Sequence, residues 1–307
     1  MDEFELIRRY FDRAATADGV VIGIGDDGAV IEPTPGLQQV QVIDTLVEGV
    51  HFPENFNPTD LGYRVVVVNL SDIAAMGATP RWMTLALTLT AADDEWLTGF
   101  AEGLHGACVE FGVALIGGDT TSGERIVGTV HITGEVEPGK ALTRAGAKPG
   151  DRVFVTGTVG DAAAGLDGLR TGQPVKTLFN RFSRPSPRVA YGRALSGLAT
   201  AVIDLSDGLL GDLGKLAEAS GAGAEIELER LPLSDDLRGH YSADEQRRFA
   251  LTGGDDYELC FTMSGEPPDP GILQVTEIGR ITSTPGVACR LDGELVEIED
   301  PGYLHFQ

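Results

Sequence analysis

The apolar period of this chain switches repeatedly between about two and about 3.6 residues, which demands strands and helices along its whole length. Leu85, Leu87 and Leu89 alternate with Thr84, Ala86, Thr88 and Thr90, the pattern of a strand with one buried face. Trp96, Phe100, Leu104, Ala107 and Phe111 then recur at helical spacing between a capping Asp93 and a closing Gly112. The same reading predicts a first helix on Phe4, Ile7, Phe11 and Ala14, a strand over 40–47, a helix from a cap at Thr59-Asp60 towards Gly77, and a strand over 126–136. Inside that second helix the β-branched run Val65 to Val68 favours a strand, whereas Ala74, Ala75 and Met76 before Gly77 and Pro80 read as a helix ending; we read helix. Pro138, Gly139, Pro149 and Gly150 bracket a connecting segment, giving expected domains of 1–137 and 138–307. Beyond it, strands over 152–156, 201–205, 224–228, 258–263 and 275–281 mix with helices over 161–169, 187–195 and 209–219, and Asp292-Gly293 reads as a hairpin turn. Irregular alternation with hairpins predicts an α/β chain of the α+β type, in two domains with mixed sheets.

Charge narrows the partners. Among 307 residues, 23 are Lys or Arg and 47 Asp or Glu, a formal net charge of −24, which makes nucleic acid and anionic membrane surfaces poor partners. No run of about 18 apolar residues is present to span a bilayer. The acidic opening Met1-Asp2-Glu3-Phe4-Glu5 is unlike a signal peptide, so a cytoplasmic chain is expected. Cys108, Cys260 and Cys289 are odd in number and widely spaced, and read as small core residues.

The chemistry points to aspartates set in Gly-rich, uncharged surroundings. They occur in Gly25-Asp26-Asp27-Gly28, Asp44-Thr45-Leu46, Asn69-Leu70-Ser71-Asp72, Gly117-Gly118-Asp119-Thr120-Thr121, Asp204-Leu205-Ser206-Asp207-Gly208 and Gly253-Gly254-Asp255-Asp256. Any one Asp-Gly pair is an ordinary turn. Asp44, Asp72 and Asp204, however, follow or interrupt apolar runs, where a carboxylate needs compensation. Carboxylates gathered without Lys or Arg repel one another unless cations fill the site, and hard oxygen ligands select Mg²⁺, Mn²⁺ or Ca²⁺. The neighbouring glycines let a phosphate approach the backbone. Leu70-Ser71-Asp72 echoes Leu205-Ser206-Asp207, and Gly117-Gly118-Asp119 echoes Gly253-Gly254-Asp255, which suggests either duplication or one chemical purpose served twice. No P-loop is present, and Gly23-x-Gly25-x-x-Gly28 continues as Asp26-Asp27 where a pyrophosphate needs bare amides.

With these residues the chain resembles the thiamine-monophosphate kinases, of the superfamily that includes aminoimidazole ribonucleotide synthetase and selenophosphate synthetase. The likeness includes Asp44-Thr45-Leu46-Val47-Glu48-Gly49-x-His51-Phe52, Asn69 to Ala78, Leu142-Thr143-Arg144, Gly253-Gly254-Asp255-Asp256-Tyr257-Glu258-Leu259 and Gly302-Tyr303-x-His305-Phe306, and runs nearly end to end. It implies an aminoimidazole ribonucleotide synthetase-like fold and ATP-dependent phosphorylation of thiamine monophosphate to thiamine diphosphate, by direct in-line transfer. It further implies several Mg²⁺ ions, ATP as co-substrate, and a homodimer whose N-terminal domains pair through their sheets. The N-terminal domain would bind metal and ATP and the C-terminal domain would complete the active site. Carried over by position, Asp27, Asp44, Asp72, Asp119, Asp204 and Asp207 would hold metal. Gly118, Asp119, Arg144 and Ser206 would meet ATP, and His51, Asp255 and Tyr303 the thiamine monophosphate, with Asp72, Asp119 and Arg144 catalytic. Three features depart from the family pattern: Val42 and Ile43 replace hydroxyl residues, Asp255 replaces Glu, and Val50 falls at a variable position. The other superfamily members fit less well, since there is no Cys before Cys108, no Cys at the end, and no Lys in the 44–49 segment. A non-catalytic acidic metal-binding protein would leave Arg144 and the Gly-Gly-Asp loops unexplained.

Overall fold

The computed structural model describes residues 3–12, 18–269 and 271–298. In chain order the elements begin with α1 (Glu3–Leu6), continued by a π-helical turn (Ile7–Phe11), then β1 (Val20–Ile22), β2 (Val30–Ile31), β3 (Gln38–Val47), α2 (Pro58–Ala75), β4 (Thr79–Leu89), α3 (Asp94–Phe111), β5 (Ala114–Ser122) and β6 (Val127–Val136). They continue with β7 (Arg152–Thr156), α4 (Asp161–Thr171), α5 (Lys176–Ser183), α6 (Val189–Leu195), β8 (Ala201–Asp204), α7 (Leu209–Ala219), β9 (Gly223–Glu227), α8 (Asp235–His240), α9 (Ala243–Thr252), β10 (Leu259–Met263), β11 (Val275–Thr282), β12 (Gly286–Leu291) and β13 (Glu294–Val296). The chain divides into two compact units, Met1–Ile73 with Ala78–Gly139, and Ala74–Gly77 with Lys140–Gln307.

Unit 1 is built on a four-stranded sheet in the order β3-β6-β4-β5, with β4 and β5 parallel and the other pairs antiparallel. Helices α2 and α3 supply its core. Val65 to Val68 are at most 1% exposed, so burial on all sides overrides the strand preference of that run. Glycines set how closely the two helices meet: a Cβ on Gly103 would lie 1.8 Å from the Thr59 carbonyl oxygen, and one on Gly62 2.0 Å from that of Phe100. The α2 cap is Asn57, whose Oδ1 accepts from the Thr59 and Asp60 amides at 2.9 and 3.1 Å. Thr59-Asp60 is therefore inside the helix, and Pro58 takes the first helical position, where its missing N–H costs nothing.

Unit 2 carries a seven-stranded mixed sheet, β13-β12-β9-β11-β7-β10-β8, in which only β12 and β9 pair parallel. Leu209, Leu213 and Leu216 of α7 pack on one face with Val153, Val155 and Ile203. Tyr191 and Leu195 of α6 pack on the other with Phe154, Val202 and Phe261. With both faces covered, every residue of β10 is buried, and its apolar run does not alternate. The Asp292-Gly293 turn joins β12 and β13 with φ of 51° and 85°, as the two-residue hairpin reading expects.

Both sequence echoes dissolve. Asp72 is inside α2, whereas Asp207 is in the turn before α7, and Asp119 is on a strand whereas Asp255 is in a loop. The three cysteines are buried and free, and burial pushes the Cys108 thiol up to about 12 and that of Cys289 to about 11, as suits inert core residues. Among the described residues no helix is long and apolar enough to cross a membrane.

Candidate active site

In unit 1, a cleft of about 560 Å³ opens between the 23–29 loop, the 7–12 turn and strands β4 and β5. Among the described residues, Asp12, Asp26, Asp27 and Asp119 line it with Arg8 the one cation, so their balance in the cleft is anionic. Asp26 Oδ1 accepts the Asp27 amide at 2.8 Å, which turns the exposed loop tightly after Gly25, where φ is 116°.

Gly117-Gly118-Asp119 belongs to β5 and is not a loop, a correction to the sequence reading. Gly118 pairs with Leu85, and a Cβ there would lie 1.9 Å from the Leu85 carbonyl oxygen. Contact with β4 therefore demands this glycine, independently of any ligand. Asp119 is exposed, in one cross-strand row with Ala86, Thr129 and Thr45. Asp44 occupies the adjacent row, with Val130, Leu85 and Gly118, on the opposite face of the sheet and on the opposite edge strand. Three inter-strand spacings separate the two edges, about 14 Å. The side chain of Ile43 points away from Asp44 and is 63% exposed, so a hydroxyl there would not share the Asp44 face. Asp72 is half-buried on α2.

The half-buried His51 accepts the Val47 amide at Nδ1, 3.0 Å away, which requires the ring proton on Nε2 in the neutral form. In unit 2, Asp204 ends β8 at 4% exposure. Ser206 and Asp207 follow in a turn whose two amides both donate to Asp212 Oδ2 at 3.0 Å. Lys215 then bonds Asp207 Oδ2 at 2.6 Å and Asp212 Oδ1 at 2.9 Å. Burial pushes the Asp212 carboxyl up against the opposing pull of Lys215. For Lys215 burial acts downward, but its bonds to the two aspartates hold the ammonium above its ordinary value. A cation therefore attends Asp207, contrary to the expectation of carboxylates without Lys nearby. One turn of helix separates Lys215 from Asp212, a spacing legible in the sequence, yet the fold back to Asp207 is not.

Arg144 is exposed, and its carbonyl oxygen accepts from Ser220 Oγ at 3.1 Å. Asp255 is half-buried at φ 72°, and the Tyr257 hydroxyl lies 3.2 Å from its Oδ1. Its segment is stitched to the 205–206 turn, with the Asp255 amide donating to the Ser206 carbonyl at 2.9 Å and the Tyr257 amide to that of Leu205 at 2.8 Å. Tyr303 lies outside the described residues.

No three His, Cys, Asp or Glu side chains among the described residues are gathered as a ready metal cage. The exposed carboxylates of Asp27 and Asp119 on one anionic cleft still fit Mg²⁺, which takes one or two carboxylates and completes its shell with water and substrate phosphates. Sequence reasoning passed over Arg8, which only folding brings to the cleft, and Asp212, Lys215, Arg181 and Arg188, whose bonds to Ser206, Asp207 and Glu258 are made only by folding.

Two family models match: AIR synthase related protein, N-terminal domain, over residues 25–136, and its C-terminal domain over residues 148–292. The thiamine-monophosphate kinase of Escherichia coli (strain K12) is 46% identical over 322 aligned positions, covering 99% of this chain and 98% of that protein. The crystal structure of thiamine-monophosphate kinase from Stenotrophomonas maltophilia K279a superposes with a TM-score of 0.88 at 41% identity, covering 96% of this chain and 98% of that one. The structure of AaThiL complexed with AMPPCP and TMP gives 0.81 at 35% identity, with 92% of each chain covered. With both domain models matched in order and relatives of this identity aligned from end to end, the chain belongs to the thiamine-monophosphate kinase family.

Proposed function

We propose that the chain transfers the terminal phosphoryl group of ATP to thiamine monophosphate, yielding thiamine diphosphate and ADP in thiamine biosynthesis. The carrying observation is the end-to-end similarity to thiamine-monophosphate kinases, one of them solved with AMPPCP and TMP. The anionic cleft with its Asp27 and Asp119 carboxylates suits a reaction between two polyanions that needs cations.

The acceptor phosphate has a second pKa of about 6 and is already ionised at neutral pH, so no general base is required. An acceptor oxygen attacks the terminal phosphorus in line as the bond to ADP breaks, and the work of the protein is alignment and charge stabilisation. In this reading Asp27, Asp44, Asp72, Asp119, Asp204 and Asp207 hold magnesium, which supplies charge neutralisation between the two phosphate chains. Gly118, Asp119, Arg144 and Ser206 meet ATP, Arg144 through its planar fork. His51, Asp255 and Tyr303 meet thiamine monophosphate, while Asp72, Asp119 and Arg144 act on the reacting phosphates. The two domains take the roles expected above, 1–137 for metal, ATP and dimer contacts and 138–307 for the remainder of the site. The same reading makes the protein a cytoplasmic homodimer. The outer face of the four-stranded sheet, where Ile43, Thr45 and Thr129 lie in neighbouring rows, is the surface proposed to meet a second copy.

Incubation with ATP, Mg²⁺ and thiamine monophosphate, followed by ³¹P NMR, tests the reading. Thiamine diphosphate appearing together with ADP supports it. ATP left intact, or hydrolysed without thiamine diphosphate, rejects it.

A further inference from the structure

The segment before β10 is held in a conformation that its residues resist. Asp255 and Tyr257 both adopt left-handed φ, 72° and 51°, and for a bulky Tyr this is a true outlier that only surrounding structure can impose. Two buried carboxyls stand beside them. Asp256 receives the Gly160 amide at 2.7 Å at the start of α4. Glu258, with no exposed surface, receives Thr156 Oγ1, Arg181 Nη2 and Arg188 Nε, each at 2.6 Å, and a second bond from Arg188 Nη2 completes a bidentate fork. Thr156 Oγ1 also accepts the Leu259 amide at 2.9 Å, so one hydroxyl ties Glu258 to the first residue of β10.

A buried ion cluster of this kind rarely repays its desolvation in stability, and apolar residues of equal volume serve as well or better. What it does supply is a single allowed geometry. Around Glu258, three elements converge: β7 through Thr156, α5 through Arg181, and the residue preceding α6 through Arg188. Together they fix where the strand begins, and so where the strained segment ahead of it must lie against the 205–206 turn.

We infer that Glu258 is a positioning residue for the phosphoryl transfer: clamped by Thr156, Arg181 and Arg188, it sets the start of β10 so that the strained segment presents Asp255 to thiamine monophosphate. This rests on the reading of Asp255 as a substrate contact. Glu258 itself, enclosed by its three partners, touches no ligand.

The test uses the full chain in steady-state kinetics with each substrate varied. Thr156→Val removes the hydroxyl at a site with no exposed surface, and Thr156→Ser restores it. Partners that orient metal ligands cost about 10–100-fold when lost, and on that scale KM for thiamine monophosphate is expected to rise about tenfold in Thr156→Val, with KM for ATP within about twofold and recovery in Thr156→Ser. Combining Thr156→Val with Asp255→Asn should add nothing to Asp255→Asn alone, because one acts through the other. If Thr156→Val does not fold, Arg188→Lys, which keeps the charge and loses the fork, carries the same comparison. Additive effects, equal rises in both KM values, or an unchanged KM for thiamine monophosphate while Asp255→Asn raises it would overturn the positioning role. An Asp255→Asn variant with unaltered KM would instead remove the substrate-contact reading, and the inference with it.

Discussion

Lys215 bonds Asp207 at 2.6 Å, so a carboxylate proposed to hold magnesium already has a cation of its own. The ammonium, one of only four in the chain, is 44% exposed at its side chain, and pairs of that kind contribute roughly 0.2–1 kcal/mol. A metal ion that binds Asp207 through Oδ2 has to displace it. In Lys215→Met, the Mg²⁺ concentration for half-maximal rate should fall about threefold, the equivalent of roughly 0.6 kcal/mol. A Mg²⁺ requirement that rises would mean that Lys215 orients Asp207 and does not compete for it.

Asp72→Asn and Asp119→Asn each remove one charge and almost no volume. Turnover should drop by at least about 100-fold, beyond the usual cost of losing an outer partner, while thermal unfolding remains cooperative near the parent midpoint. Loss of folding in these variants, in place of an inactive folded protein, would count against both as metal ligands.

Gly118→Ala sets a methyl group against the Leu85 carbonyl, so β4 and β5 must separate. Overpacking typically costs about 1–3 kcal/mol, and a backbone clash at 1.9 Å belongs at the upper end. Urea unfolding gives the number. Parent-like stability would show that β5 is free to shift away from β4.

If two copies meet through the outer sheet face, Ile43→Glu places two charges into that contact. Sedimentation should then report a monomer where the parent protein sediments as a dimer. A dimer of undiminished strength would move the interface elsewhere.

Burial pushes the Asp256 carboxyl well above its ordinary value, outweighing the Gly160 amide and Arg181, while Asp161 and Glu258 add to the upward shift. The folded chain keeps a proton there that the unfolded chain releases near about pH 3.9. Stability from this group is complete below that value and is lost as pH rises through the folded pKa. Asn never ionises, so the cost of Asp256→Asn should shrink between about pH 5 and about pH 8 in urea unfolding. A cost that grows over that interval would show Asp256 ionised in the fold.

Much was legible because it depends on local order. Alternation at Leu85 to Leu89 and the helical stripe from Trp96 to Phe111 each appear where expected, as does the Asp292-Gly293 turn. Local rules failed where a residue's role depends on distant neighbours. Gly117-Gly118-Asp119 reads as a loop, yet the approach of Leu85 makes it strand. Thr59-Asp60 reads as a cap, yet Asn57 reaches the amides first. Short helices such as α8 and α9 carry too few apolar positions to stand out from the loops around them.

The sequence by itself determined the α/β class, the mixed sheets and the family, since hydrophobic period and motif spacing are properties of the chain in order. Tertiary structure alone decided which charges distant in the chain meet. Lys215 faces Asp207 eight residues away, and Arg188 faces Glu258 seventy residues away, because helices and strands must pack before side chains that distant can share a hydrogen bond. A carboxylate's partner sets its charge and its freedom to bind metal, and that partner is chosen by packing.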